Sequence, residues 1–441
     1  ETRLMLVVAF RDKLGEDNTR AAITYAQTYL NRLIFIFFAE DRGDIESRLF
    51  TKRVVRILER ANSNSQAKSV SEDSVNLFKQ LDTGEKARPP FEEIFGFNGG
   101  LFRDAIPEKA FFFDLRPPGF FKNVRQNFKF SKDVRLDEPT EKAAKKHGGE
   151  LSPIITNLLL MDRFNFMTDI GVNIMGHILE QSVSDLEELQ NLGTERRKKE
   201  GVYYTPEYVT EYICNNTIIP YLSERNASTV DELVSEYDGR LDELEKRLHK
   251  IRILDPACGS GAFLIKAAET LMKIDEGIQK QRQASTGQQT MEEYQYEKEI
   301  VRIIENNIFG IDINHEAVII ARLGMFLKMS GGRRKLVVLS KNIQVGNSII
   351  DDETLDIKAI NWEKQFPEKF DIVIGNPPYV RQELISPIKP YLKENFSVYN
   401  SVADLYVYFF ELITKALKEN GILSYIISNK WMKTDYGENT R

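Results

Sequence analysis

The stretch that decides the fold is Asp255-Pro256-Ala257-Cys258-Gly259-Ser260-Gly261-Ala262-Phe263. It follows the β-branched run Ile251-Arg252-Ile253-Leu254 and opens the helical pattern Gly261 to Ile274, so it reads as a tight strand-to-helix turn. Gly259 and Gly261 let backbone approach a ligand without a side-chain clash. Asp255, at the strand end, can accept hydrogen bonds from a ligand ammonium. No Gly-Lys-Ser/Thr follows, which excludes a P-loop, and the G-x-G-x-x-G dinucleotide pattern is not met. In a doubly wound sheet such a turn faces the ligand crevice.

Working outward, the same texture repeats. Ile308-Phe309-Gly310-Ile311, Lys335 to Leu339, Phe370 to Ile374 and Ile422 to Ile427 are further strand candidates. Glu297 to Asn306, Glu316 to Met329 and Ala403 to Leu417 are helix candidates between them. Strands alternating with helices predict a doubly wound, parallel α/β sheet over residues 251–441. Residues 278–296, rich in Gln, Ser and Glu, read as a polar insertion. Residues 1–190 read as a mostly α-helical domain, and 191–250 as a helical segment belonging to the C-terminal domain. Leu30, Leu33, Ile34, Phe37 and Phe38 recur at the spacing of one helix face, and Leu158, Met161, Ile174 and Ile178 resume that pattern. Asn98-Gly99-Gly100-Leu101-Phe102 is a turn running into apolar residues. Phe111-Phe112-Phe113, Pro117-Pro118-Gly119 and the basic Lys142 to Gly149 read as irregular chain, and Ser184 with Glu187 as a capping box.

Length and composition bound the class. At ~150 residues per domain, 441 residues predict about three units. An apolar fraction of 42% can fill a core, which excludes wholesale disorder. A net charge of −6 excludes a globally basic nucleic-acid coat but not a local basic groove. Cys214 and Cys258 cannot build a disulfide framework and fit a reducing compartment. The histidines His147, His177, His249 and His315 are dispersed without zinc-ligand spacing, so no metal site is expected. The apolar run Leu33 to Ala39 is far short of a membrane span and no signal peptide is visible. A cytoplasmic protein without a membrane partner is expected. The ends at Glu1 and Arg441 read as those of a piece of a longer polypeptide.

Three later clusters carry chemistry. In Phe309-Gly310-Ile311-Asp312-Ile313 the acid at a strand end suits ribose hydroxyls. It lies 57 residues after Asp255, against a usual ~20, and the polar insertion accounts for the excess. Capping the helix that starts near His315 is a rival role for Asp312. Asn347, in Gly346-Asn347-Ser348, can read an adenine edge by donating and accepting, or serve a plain turn. Asn376-Pro377-Pro378-Tyr379 follows the strand run Asp371-Ile372-Val373-Ile374-Gly375. Two prolines fix φ and lack N–H donors, so the Asn376 side-chain oxygen and the Pro377 carbonyl can both accept from one amino group. An amine conjugated to a purine is a poor nucleophile, and two acceptors drawing on its hydrogens turn its lone pair toward an electrophile. Tyr379 offers a flat face to an extruded base.

In their order these pieces resemble the γ-type amino-group DNA methyltransferases that use S-adenosylmethionine. The resemblance implies that Asp255, Pro256, Ala257, Gly259 and Gly261 form the cofactor loop, and that Asp312, with Ile313 beside it, binds the ribose hydroxyls. Asn347 stands where the family usually has an acid contacting the adenine amine. Asn376, Pro377, Pro378 and Tyr379 are the implied catalytic motif, with Asn376 also against the cofactor. Gly201-Val202-Tyr203-Tyr204-Thr205-Pro206 resembles the segment that closes over the methionine end of the cofactor, which assigns Tyr204, Thr205 and Pro206 to it. Thr205 is expected to cap a helix, with Pro206 at its first position and Glu207 in its first turn. Ala403-Asp404-Leu405-Tyr406 and Ser428-Asn429-Lys430 resemble later pocket motifs. Leu30 to Gly43, Asn98 to Phe102, Gly176 to Gln181 and Arg196 to Pro206 resemble the helical region of type IIG (Eco57I-like) restriction-modification enzymes. The resemblance implies a Rossmann-like S-adenosylmethionine-dependent methyltransferase domain behind a helical one. Its substrate would be adenine N6, on a base flipped from double-stranded DNA. No nuclease site stands out, and a target-recognition domain is expected beyond Arg441.

The same motif serves methylation of cytosine N4, of amino groups in ribosomal RNA and of protein glutamine. A non-catalytic DNA-binding subunit that kept the core is a reading of another class. The helical N-terminal region and the Tyr203-Tyr204-Thr205-Pro206 segment favour DNA, and the intact Asp255 and Asn376 clusters favour an enzyme. The basic runs Arg196-Arg197-Lys198-Lys199 and Arg333-Arg334-Lys335 suit phosphate contact or a solvated surface.

Overall fold

A computed structural model of the chain describes residues 2–61, 70–86, 94, 96–97, 100–103, 153–166, 205–286, 293–329 and 339–440. Those up to Phe166 fall in one unit and those from Thr205 in another.

The first unit is helical: α1 (Thr2–Leu14), α2 (Thr19–Asp41), α3 (Leu49–Ala61), α4 (Val70–Thr83) and α5 (Pro153–Met161). The expected apolar face of α2 is buried, but so is every residue from Tyr29 to Glu40. This helix runs through the core instead of lying on its surface. Its polar side chains therefore bond inside it. Gln27 Nε2 donates to Asn31 Oδ1 at 2.6 Å, and Arg32 Nε to the Leu101 carbonyl at 2.9 Å. Phe35 meets the rings of Phe97 and Phe102 edge-on at 5.1 and 5.5 Å. Two sequence signals far apart in the chain, Leu30 to Gly43 and Asn98 to Phe102, thus meet in one core. Asn98 and Gly99 themselves lie outside the described residues, as do 104–152 and 167–204.

Among the described residues the second unit holds five strands, all parallel, in the order β3-β2-β1-β4-β5. They are β1 (Ile253–Asp255), β2 (Ile308–Asp312), β3 (Ile343–Val345), β4 (Phe370–Gly375) and β5 (Leu417–Tyr425). Its longer helices are α6 (Glu207–Leu222), α7 (Ala262–Thr286), α8 (Glu293–Asn307), α9 (His315–Met329) and α10 (Tyr406–Ala416). Helix α7 packs on β1 and β2, α9 on β2 and β3, and α10 on β5. From the centre the strands grow one way through β2 to β3 and the other way from β4 to β5. Right-handed crossovers then put the connecting helices on opposite faces, the doubly wound arrangement expected.

Two expectations meet a different outcome at the described residues. The strand paired with β2 is Ile343–Val345, and of the expected strand Lys335 to Leu339 only Leu339 is described. Leu339 lies in a turn, and residues 330–338 are outside the described set. The strand entry is fixed by Asn342, whose Nδ2 donates to the Glu305 and Ile308 carbonyls at 2.7 and 3.1 Å, and whose carbonyl accepts from Gly310 N–H at 2.8 Å. At its described ends the polar insertion 278–296 lengthens two helices, since α7 runs on to Thr286 and α8 begins at Glu293. Among the described residues no helix is long and apolar enough to cross a membrane.

One buried acid joins three elements at the base of the sheet. Asp371 in β4 accepts from the Tyr221 hydroxyl of α6 at 2.6 Å, from Arg252 N–H at 2.8 Å and from Lys418 Nζ of β5 at 2.8 Å. Asp371→Ala strands all three donors. It is expected to lower stability by about 3 kcal/mol in urea unfolding of this unit.

Candidate active site

Strand order reverses between β1 and β4, and a crevice at the carboxyl ends of those strands is where such sheets bind ligands. Asp255, only 1% exposed, ends β1, and its Oδ1 accepts Ala257 N–H at 3.0 Å. The turn after it is tied to β2 by Cys258 N–H on the Ile311 carbonyl at 2.9 Å. Gly261 has φ +88°, and a Cβ there would stand 2.9 Å from the Ala321 Cβ of α9, so only glycine lets α7 start against α9. A side chain on Gly259 would meet nothing within 4 Å, which leaves open space over the turn.

The acid after β2 joins the same turn. Asp312 Oδ2 accepts Gly259 N–H and its Oδ1 accepts Asn314 N–H, both at 2.8 Å. The cap of α9 is Asn314, whose Oδ1 accepts Ala317 N–H at 3.1 Å, so the capping role does not fall to Asp312. Ile313 beside it is 41% exposed, unusual for a large apolar residue at a strand end. The β3 loop closes on the turn through Ser348, whose hydroxyl donates to the Pro256 carbonyl at 2.6 Å. Asn347 serves that loop with both ends of its amide. Nδ2 donates to Asp356 Oδ2 at 2.8 Å and Oδ1 accepts Ile349 N–H at 3.1 Å.

At the end of β4, a Cβ on Gly375 would lie 2.6 Å from Asp255 Oδ1, so glycine brings the two strand ends together. The next residue, Asn376, donates from Nδ2 to Thr205 Oγ1 at 3.2 Å. Its Oδ1 is sealed from solvent and has no hydrogen-bond partner among the described residues. Thr205 does not cap the helix as expected. Pro206 holds the cap position, α6 starts at Glu207, and the Thr205 hydroxyl is recruited by Asn376 instead. Tyr204 lies outside the described residues. Pro377 is buried and Pro378 half-buried. Tyr379 donates its hydroxyl to the Ile426 carbonyl at 2.9 Å and sets its ring 5.8 Å from that of Tyr406. The expected later motif packs here too, with Leu405 N–H on the Val380 carbonyl at 2.9 Å and Gln382 N–H on Asp404 Oδ1 at 3.0 Å.

Burial pushes the Asp255 carboxyl up to about 8, and the negative charge of Asp312 adds to it. Burial, then Asp312 and Asp255, holds the Cys258 thiol well above its ordinary value, so it is no nucleophile. Sequence reading missed Tyr425, whose buried hydroxyl feels the charge of Asp255. It also missed that His249 gathers with Glu245 and Asp275, their ligand atoms within 4.8 Å of one another. Protein donors already serve two of those three. Arg282 reaches both Glu245 oxygens at 3.0 and 2.9 Å, and Gln279 reaches Asp275 at 3.3 Å. Both basic runs singled out for phosphate lie outside the described residues.

Fold and site together define an α/β methyltransferase core with a helical unit before it. Residues 306–441 match the Eco57I restriction-modification methylase family, 246–327 the RMKL-like methyltransferase domain, and 24–102 the helicase spacer domain of MmeI. A candidate type II restriction enzyme and methyltransferase of Methanocaldococcus jannaschii is 30% identical over 77% of this chain and 28% of its own length. The adenine-specific methyltransferase PglX of Streptomyces coelicolor is 25% identical over 56% of this chain and 21% of its own. In fold, the chain is similar to the solved type IIL restriction-modification enzyme MmeI in complex with DNA. The TM-score is 0.60 at 19% identity, over 95% of this chain and 50% of that one. The chain therefore spans less than a third of these curated relatives. It is similar to the restriction-modification methyltransferases, the likeness its motifs led us to expect.

The raised Asp255 carboxyl makes a prediction for stability. Its unfolded value is near the ordinary 3.8, so folding takes up a proton between there and about 8, and stability falls as pH rises through that window. Asp255→Asn removes the penalty. Its thermal midpoint should pull above that of the wild type as pH rises, by the equivalent of a few kcal/mol at about pH 8.

Proposed function

We propose that the second unit transfers a methyl group from S-adenosylmethionine to adenine N6 in DNA, as part of a restriction-modification enzyme of the type IIG kind, in the cytoplasm. The observation that carries this reading is the sealed Oδ1 of Asn376, unpartnered among the described residues, one position after Gly375, which brings the strand end against Asp255. An acceptor so buried needs a donor, and an exocyclic amine is the donor that the Pro377 carbonyl can share.

The donor set suits the cofactor. Open space over Gly259 leaves room for it, the Asp312 carboxylate is an acceptor suited to ribose hydroxyls, and Ile313 offers an apolar face for its base. Asp255, with Thr205 and Pro206 across the crevice, suits the cationic methionine end, a role Tyr204 would share. When bound, S-adenosylmethionine supplies a methyl group on sulfonium, an already activated leaving group. Asn376 Oδ1 and the Pro377 carbonyl would accept the two amine hydrogens and stabilise the positive charge that develops on nitrogen. Tyr379, held by Ile426 and Tyr406, would carry the extruded base on its ring. Asn376 is neutral, which fits a reaction that needs positioning more than a strong base.

Adenine is favoured over cytosine by the likeness to an adenine-specific relative, and DNA as partner by the likeness to MmeI. Asn347 remains a candidate for the cofactor's adenine, since its Oδ1 keeps a second lone pair. Residues 24–102, by their match, would serve as the spacer.

Two substitutions separate the roles. Asn376→Ala should keep cofactor affinity within about twofold while turnover falls by on the order of 100-fold. Asp312→Ala should weaken cofactor binding about tenfold or more, because it also frees Gly259 and Asn314 N–H. Calorimetric titration beside a methyl-transfer assay reads both, and reversed phenotypes would refute the assignment.

A further inference from the structure

Tyr425, the last residue of β5, stands in register with Gly375, whose missing side chain lets the Asp255 carboxyl approach to 2.6 Å from where a Cβ would stand. Its ring packs near Phe410, centroids 6.3 Å apart, and a phenylalanine would serve that contact equally. The hydroxyl, however, is sealed from solvent and has no hydrogen-bond partner among the described residues. A buried phenol without a partner costs stability, so its retention calls for a ligand-bound state in which it has one. Among the described residues, the charge that acts on it is that of Asp255.

The groups around Asp255 show when that partner forms. Asp312 of β2 acts on it directly, while Cys258 of the turn, Cys214 of α6 and Tyr425 of β5 feel its charge. The cations nearby are used elsewhere. Lys266 pairs with Glu207 and Glu269 at 2.9 and 2.8 Å, and Arg322 bonds the Ile343 carbonyl at 2.9 and 2.6 Å. Among the described residues no cation acts on Asp255, so a cationic ligand would supply a charge that favours its ionised form near neutral pH.

We propose, resting on the cofactor reading above, that Tyr425 is a positioning residue for Asp255: its hydroxyl donates to the Asp255 carboxylate once a cationic ligand fills the crevice, and holds that carboxylate on the ligand's ammonium. No covalent step is involved. The hydroxyl turns from an unpartnered group into a charge-assisted donor, which makes cofactor binding favourable in part because it satisfies a group the empty crevice leaves bare.

The test is S-adenosylmethionine binding to the intact protein, wild type against Tyr425→Phe, from about pH 8.5 down to about pH 5.5. Near pH 8 the wild type should bind about tenfold more tightly, the worth of one hydrogen bond to a charged group. That ratio should shrink toward one as acid protonates Asp255 in both proteins, while the ligand's own titration cancels between them. In an Asp255→Asn background the same substitution should cost less than about twofold. Without ligand, Tyr425→Phe should melt no lower than the wild type. A ratio that stays constant with pH, equal affinities throughout, or a destabilised unliganded variant would each overturn the proposal while leaving the cofactor reading intact. A wild type that binds no S-adenosylmethionine would overturn both.

Discussion

The carboxyl ends of β1 and β4 meet only because residue 375 has no side chain. A Cβ there would press to 2.6 Å from Asp255 Oδ1 and push the two strand ends apart. Everything at the site follows from that approach. Asn376, next in the chain, is delivered beside the turn that Asp255 opens, and Thr205 takes the nitrogen end of its amide. The oxygen end is left buried and bare, and that is the single most ligand-demanding atom in the crevice. The Gly259 turn, the Asp312 carboxylate and the Ser348 hydroxyl then lock the ends of β1, β2 and β3 into one rim.

Much of this was legible in sequence, for a physical reason. Strand-end acids, glycines at forced turns and consecutive prolines act through backbone geometry, which neighbouring residues encode. The Asp255 to Gly261 turn, Asp312 at a strand end and the Asn376 to Tyr379 segment all stand where the pattern put them. What depended on distant partners was not legible. Thr205 has the chemistry of a helix cap, yet a residue 171 positions away claims its hydroxyl. Asn342 sets the start of β3 by bonding carbonyls of the preceding crossing, which no local propensity records. Tyr425 reads as one more aromatic in a strand, because sequence does not show that its hydroxyl has no partner among the described residues. The apolar face of α2 was legible in its spacing, but nothing local records that Arg32 finds a carbonyl inside the core.

The site also carries a cost. Asp255 is held almost wholly buried with another acid nearby, and its carboxyl is raised to about 8 by that burial. A fold chosen only for stability would place an amide or an apolar residue there. Keeping an acid where it is hard to ionise makes sense if a cation is to arrive, since the binding of that cation then recovers what folding gave up. The bare hydroxyl of Tyr425 belongs to the same economy.

The most direct test of the account is transfer of a tritiated methyl group from S-adenosylmethionine to duplex DNA by the intact protein, followed by digestion and separation of the nucleosides. The account predicts label in N6-methyladenosine of the deoxy series, lost in the Asn376→Ala protein. Label confined to cytosine, RNA or protein, or full labelling without the Asn376 side chain, would contradict it.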